Sequence, residues 1–197
     1  MKEIIFIGAG GHSHSLIDIV ESSNEFRLAG FVDQKDEKKE LNLNYPVVGN
    51  DQNLEKLREN FHYAFIAIGQ IKSSFKRQLI AKKLKNLNYI IPILKSHFSI
   101  ISKHSELSCG VSVGHGAIVN AGVRIGKHTI INSNALIEHD CIISDFCHIS
   151  TGAIINGNVK IGFGSFIGSG AIIREGIELP PYTIIGAGKV IMGWPQK

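Results

Sequence analysis

From Leu107 to Ile185 an aliphatic residue occupies every sixth position, beginning Leu107, Val113, Val119 and Ile125 and ending Ile173, Leu179 and Ile185, with no slip or insertion. A period of six matches neither the helical repeat of about 3.6 nor a heptad, so an amphipathic helix or coiled coil does not account for it. Such a short repeat signals a β-solenoid, in which each repeat buries its apolar face by stacking on the next. The position four after each anchor is mostly small, as at Ala117, Thr129, Ala135, Cys141, Cys147 and Ala153. One branched and one small inward side chain per hexad describe a narrow, fully packed core. Three hexads make one coil of a triangular prism, so fourteen hexads give between four and five coils, rising about 4.8 Å each. Gly126, Gly162, Gly168 and Gly186, with Asn120, Asn132 and Asn156, directly follow their anchors and are expected to turn the corners between faces. Pro180-Pro181 and the absence of hexads after Val190 mark the end of the stack.

The first half has another rhythm. Glu3 to Ile7 is a short apolar run ending in Gly8-Ala9-Gly10-Gly11, and Ser13 to Val20 then has helical spacing, which reads as strand, tight turn, helix. Further strands are expected at Leu28 to Val32, Tyr63 to Ile68 and Tyr89 to Leu94, with a basic helix at Phe75 to Leu87 and an exposed loop at Asp33 to Asn44. Strands alternating with helices predict a parallel sheet with crossovers. The fold class is therefore α/β plus β: a Rossmann-like parallel α/β domain over residues 1–95, a junction at 96–106, and a left-handed parallel β-helix over 107–197.

Composition narrows the function classes. A chain of 197 residues with a formal charge of +4 suits small anionic ligands such as nucleotides or coenzyme A. Nucleic acid is not expected, because the basic residues are scattered, with Lys38-Lys39 and Lys82-Lys83 the only doublets. Cys109, Cys141 and Cys147 show no paired spacing and read as reduced core residues. Ile4 to Ile7 is too short for a signal peptide, and no stretch approaches the roughly 18 apolar residues of a membrane span, so a cytoplasmic protein is expected.

Two constellations carry chemistry. The turn Gly8-Ala9-Gly10-Gly11-His12-Ser13 departs from the dinucleotide fingerprint, whose third glycine would fall at Ser13, but amides at a helix start still favour a diphosphate. Asp33, ending the next strand, can accept from a ribose hydroxyl; the pair suits a nucleotide without choosing between NAD and a uridine diphosphate sugar. In the solenoid, His139 stands two residues after an anchor, at a corner or outward face, between Glu138 and Asp140, either of which could fix its tautomer. Histidine is the side chain best suited to act as a base near neutral pH. Gly157 is one coil above, where a backbone N–H could receive an oxyanion. His62, His97, His104, His115 and His128 lack such companions and read as structural or surface residues.

These motifs, with Phe31-Val32-Asp33, Ala67-Ile68-Gly69, the run from Asn132 to Asp140 and the closing Gly193-Trp194-Pro195-Gln196-Lys197, resemble sugar acetyltransferases of the NeuD/PglD type in the hexapeptide-repeat acyltransferase superfamily, over nearly the full length. The resemblance implies acetyl transfer from acetyl-CoA to a nucleotide-linked, UDP-type amino sugar, without a metal, by a homotrimer whose active sites lie between neighbouring solenoids. It implies His139 as general base supported by Asp140, with Asn132, His148, Gly157, Ser169 and Ala187 toward acetyl-CoA. It implies Gly8, Gly10, Gly11, His12, Asp33 and Gly69 toward the sugar nucleotide. Two departures are Gln196, where Ala is usual, and Asp140, where Glu is often found. Competing readings are an O-acetyltransferase of sialic-acid-like sugars, a γ-carbonic-anhydrase-like zinc enzyme, and an NAD-sensing module. The intervals among His115, His128, His139 and His148 do not give the histidine pair five apart of the zinc enzymes.

Overall fold

The computed structural model describes residues 1–34 and 43–193; the expected loop, apart from its ends, and the closing Trp194 to Lys197 lie outside the described residues. Strands β1 (Lys2–Ile7), β2 (Phe26–Val32), β3 (Val47–Gly49) and β4 (Tyr63–Ile66) form a parallel sheet ordered β3-β2-β1-β4, with α1 (Gly11–Glu21) between β1 and β2, α2 (Leu54–Asn60) between β3 and β4, and α3 (Phe75–Asn86) leading from β4 toward the second half of the chain. Ile4, Ile5, Phe6 and Ile7 are all at most 1% exposed. A strand apolar on both faces is what a parallel sheet covered by helices requires.

Three elements differ from expectation. β3 has only three residues behind Pro46, and α2 is mostly charged, so neither leaves a hydrophobic period to read. The expected strand Tyr89 to Leu94 does not extend the sheet: Ile90 makes a single bridge to Tyr63, and Leu94–Lys95 pairs with Ser112–Val113. The solenoid thus starts at Leu94, and the segment 96–106, expected as a junction, already winds its first coil, with Ile100–Ile101 paired to Ile118–Val119. Lys95 occupies an anchor position and is exposed while Ile93 packs on the core, which hides the period there.

The prism has three parallel faces. The docked face runs from Leu94–Lys95 to Ile184–Ile185, the aliphatic face from Ile100–Ile101 to Val190–Ile191, and the polar face from Glu106–Leu107 to Glu178–Leu179. Anchors and small residues meet inside, with Val113, Val119, Ala135, Ile137, Cys141 and Ala153 each 0% exposed. The Cys141 and Cys147 thiols donate to the carbonyls of Asn156 and Gly162, and burial pushes them up to about 11 and about 12. Cys109, expected in the core, is exposed, because it stands at a corner position that does not point inward.

The corners correct another expectation. Left-handed backbone falls on the third residue after each anchor, as at Gly122 (φ 75), Asn134 (φ 57), Asp140 (φ 60) and Asn158 (φ 58). Gly126, Gly162 and Gly168, directly after anchors, serve packing instead: a Cβ on Gly126 would lie 2.5 Å from the Asp145 nitrogen, and one on Gly168 2.5 Å from the Ala187 nitrogen. They let successive coils stack backbone to backbone.

Candidate active site

His139 lies where the chain leaves the aliphatic face for the polar face, on an exposed corner between the strands Leu136–Ile137 and Ile142–Ile143. Its Nδ1 is 2.9 Å from Asp140 Oδ2. A carboxylate can only accept, so Nδ1–H donates, and in the neutral imidazole the lone pair is then on Nε2. Asp140 fills this role because its side chain tolerates the left-handed corner, and because Gly122 below leaves room: a Cβ there would sit 2.3 Å from Asp140 Oδ1. Glu138, the other flanking carboxylate, is engaged elsewhere and accepts from Asn120 Nδ2 at 2.9 Å.

Gly157 closes over the imidazole. A Cβ on it would lie 2.7 Å from both Cε1 and Nε2 of His139, so only glycine leaves the ring in place. Its carbonyl accepts from Gly176 N–H at 3.0 Å, while no acceptor for its own N–H is found among the described residues. Nε2 and a residue with an unspent amide thus lie next to each other, one coil apart.

The other candidates toward acetyl-CoA sit apart. Asn132, Ser169 and Ala187 lie on the corner entering the aliphatic face, across that face from His139. Asn132 Oδ1 accepts from Ser133 N–H at 2.8 Å, and the Ser169 and Ser150 hydroxyls are 2.9 Å apart. His148 belongs to neither edge. It is 7% exposed on the docked face, with Nδ1 2.7 Å from the Gln70 carbonyl and its ring 6.3 Å from that of His12. The outward step of its strand carries it into the domain junction rather than onto a corner.

Gly8, Gly10, Gly11, His12, Asp33 and Gly69 all line one cavity of about 330 Å³ at the carboxyl ends of the sheet strands. Gly8 has φ +101, and a Cβ there would meet Ile68 Cγ1 at 2.6 Å, so the turn demands glycine. Gly10 and Gly11 have open space and leave the start of α1 accessible to an anion. Asp33 Oδ2 accepts from Ala9 N–H at 2.8 Å and braces the turn. Gln34, Asp51 and Lys76 also line the cavity; sequence reasoning missed them because Gln34 and Asp51 stand on segments without a period and Lys76, at the start of α3, reads as one of several solvated lysines of a basic helix.

Between the cavity and the solenoid lies a buried polar junction. Arg77 donates to Gln70 Oε1 at 2.9 Å and to the His128 carbonyl, and Gln70 Nε2 donates to the Gly164 carbonyl at 2.9 Å. Burial lowers His12 to about 3, with the neighbouring His148 and Arg77 adding to the effect. Burial likewise lowers His148 to about 4 against the opposing Gln70 carbonyl, and His128 to about 4 with Arg77 beside it. Folded-state values below the usual 6.5 mean that the unfolded chain binds more protons as pH falls. Stability should be full above pH 6.5 and be lost as pH drops toward 4. Thermal melts across this window should show Tm falling steadily, and a His148→Gln variant should show a shallower fall.

A nucleotide-type cavity on a parallel sheet, joined to a hexapeptide-repeat prism bearing a histidine–carboxylate pair, defines an acyltransferase of the left-handed β-helix class. Residues 3–84 match the family model of the PglD N-terminal domain. The whole chain is similar to perosamine N-acetyltransferase from Caulobacter crescentus, solved as a histidine-to-asparagine mutant with CoA and GDP-perosamine, at 30% identity over 98% of this chain and 89% of that one, TM-score 0.90. It is also similar to the acetyltransferase domain of PglB from Neisseria gonorrhoeae, at 28% identity over 100% and 94%, TM-score 0.88. The same domain in complex with acetyl coenzyme A matches at 27% identity over 96% and 92%, TM-score 0.85. The chain belongs to the PglD-type sugar acetyltransferases of the hexapeptide-repeat superfamily.

Proposed function

We propose that this acetyltransferase moves acetyl from acetyl-CoA onto the amine of a nucleotide-linked sugar by direct transfer, with His139 as general base. The observation that carries the reading is the His139–Asp140 pair under Gly157. The sugar amine attacks the thioester carbonyl carbon, and His139 Nε2 takes the amine proton. The Gly157 N–H faces the oxyanion that forms. Collapse breaks the carbon–sulfur bond, and the imidazolium returns the proton to the departing thiolate, leaving free CoA and the amide. Asp140 holds the tautomer that makes this possible. Asn132, Ser169 and Ala187 are assigned to the acetyl-CoA arm, and the cavity from Gly8 to Gly69 to the nucleotide. A UDP-linked amino sugar is the expected acceptor, and the GDP-linked sugar bound by the Caulobacter protein is the first competitor to test. The free thiols, including exposed Cys109, suit a reducing cytoplasm.

A homotrimer supports this chemistry. Among the described residues, none of those lining the nucleotide cavity comes from the His139 corner, which favours a site completed by a second copy. The outward residues of the aliphatic face, Ile100, Ile118, Leu136, Ile154, Ile172 and Val190, are apolar without exception, whereas the polar face presents Glu106, Arg124, Lys160 and Glu178 and the docked face is buried from Leu94 to His148. Packing aliphatic faces about a threefold axis brings the His139 edge of one copy against the Asn132 edge of the next. Leu136→Glu with Ile154→Glu should therefore yield monomers by light scattering, with turnover lost.

Incubation with labelled acetyl-CoA and UDP- or GDP-linked amino sugars should add one acetyl group and release one thiol per turnover. Transfer only to a hydroxyl of a sialic-acid-like sugar would replace this reading with O-acetylation.

A further inference from the structure

Between Glu59 and Glu106 the chain has no Asp or Glu but eight Lys or Arg, six of them within residues 72–85, so its net charge of +4 originates in this tract and the remainder is net acidic. The fold places most of that charge on α3. Arg77, Ala81 and Leu84 form its buried side. On the opposite side Phe75 and Leu79, one turn apart, are 63% and 52% exposed, and Ile71 just before the helix is 67% exposed. At about 100° per residue, Lys76 and Lys83 flank this apolar pair on one side and Lys82 and Lys85 on the other. None of these lysines has a carboxylate partner among the described residues.

We propose that α3 docks the protein on an anionic lipid surface, with Phe75, Leu79 and Ile71 entering the headgroup layer and the flanking lysines meeting lipid phosphates. Large apolar side chains projecting from the middle of a lysine ring match an interface that is apolar below and negative above. Phe75, Leu79 and Ile71 line neither the cavity that Lys76 borders nor the one that Lys82 and Lys85 border, so the apolar side chains stand out from the surface between them, as insertion into a plane requires. The described residues contain no helix long and apolar enough to cross a membrane, so the attachment is peripheral. Each lysine near such a surface strengthens binding by roughly fivefold, and salt screens the attraction.

The test is co-sedimentation of the full chain with vesicles of phosphatidylcholine alone or mixed with phosphatidylglycerol. Binding is expected only with phosphatidylglycerol and should be abolished by about 0.5 M salt. Phe75→Ser with Leu79→Ser, and separately Lys82→Gln with Lys85→Gln, should each weaken binding at least about tenfold, with Tm, oligomeric mass and acetyl transfer unchanged. Lys76 is left intact because it also lines the nucleotide cavity. Absence of vesicle binding, equal binding to both lipids, or full binding by the Phe75/Leu79 variant would overturn the proposal. So would a change of oligomeric mass in that variant, which would assign the face to a second copy of the chain.

Discussion

Replacing His139 with alanine should lower kcat by roughly two to four orders of magnitude while KM for both substrates stays within about twofold. The imidazole corner is exposed and carries no packing load in the fold, so the variant should melt with the parent protein. The loss is confined to proton transfer, and a more reactive thioester, whose attack demands less base assistance, should recover part of the rate. Asp140→Asn should also slow turnover, because an amide can donate to Nδ1 and favour the tautomer that protonates Nε2. Undiminished turnover in His139→Ala, measured by thiol release, would remove the histidine from the chemistry.

Gly157→Ala should be nearly as damaging, by a different route. Its Cβ would intrude to 2.7 Å from His139 Cε1 and Nε2, so either the ring rotates off Asp140 or the coil shifts. Displacement of a reacting group by about an ångström costs on the order of a hundredfold in rate. Gly157 does not adopt left-handed backbone, so alanine brings no dihedral strain and Tm should hold. A hundredfold fall in kcat with an unchanged melt separates site geometry from stability. Gly122→Ala would combine a clash at Asp140 Oδ1 with strain at φ 75, and should lose stability as well as activity.

Much of this was legible in the chain because stacking imposes one chemical demand at fixed intervals. An inward position in a narrow prism must be branched or small, which writes the six-residue register into Leu107 through Ile185. Eighteen-residue stacking then put Gly157 over His139 before any coordinate was needed. The nucleotide turn was legible for a similar reason, since Gly8 must hold φ +101 beside Ile68. Where the demand lapsed, so did the signal: Lys95 at an anchor position concealed the first coil, and the three residues of β3 gave no pattern.

What the sequence could not decide were choices among residues equally able to serve. Glu138 and Asp140 flank the same histidine, and only the left-handed corner, which aims Asp140 at Nδ1 while Asn120 takes Glu138, separates them. The hexad register points both His148, on the outward step of its strand, and His139, two residues after its anchor, away from the core, yet one is enclosed at the domain junction against Gln70 and the other stands on an open edge. The inward pattern of a solenoid is local, dictated by each coil on its neighbours, and so the chain alone determined it. Which outward side chain meets a domain, a partner or a substrate depends on bodies brought together from distant parts of the sequence, and only the tertiary structure decided that.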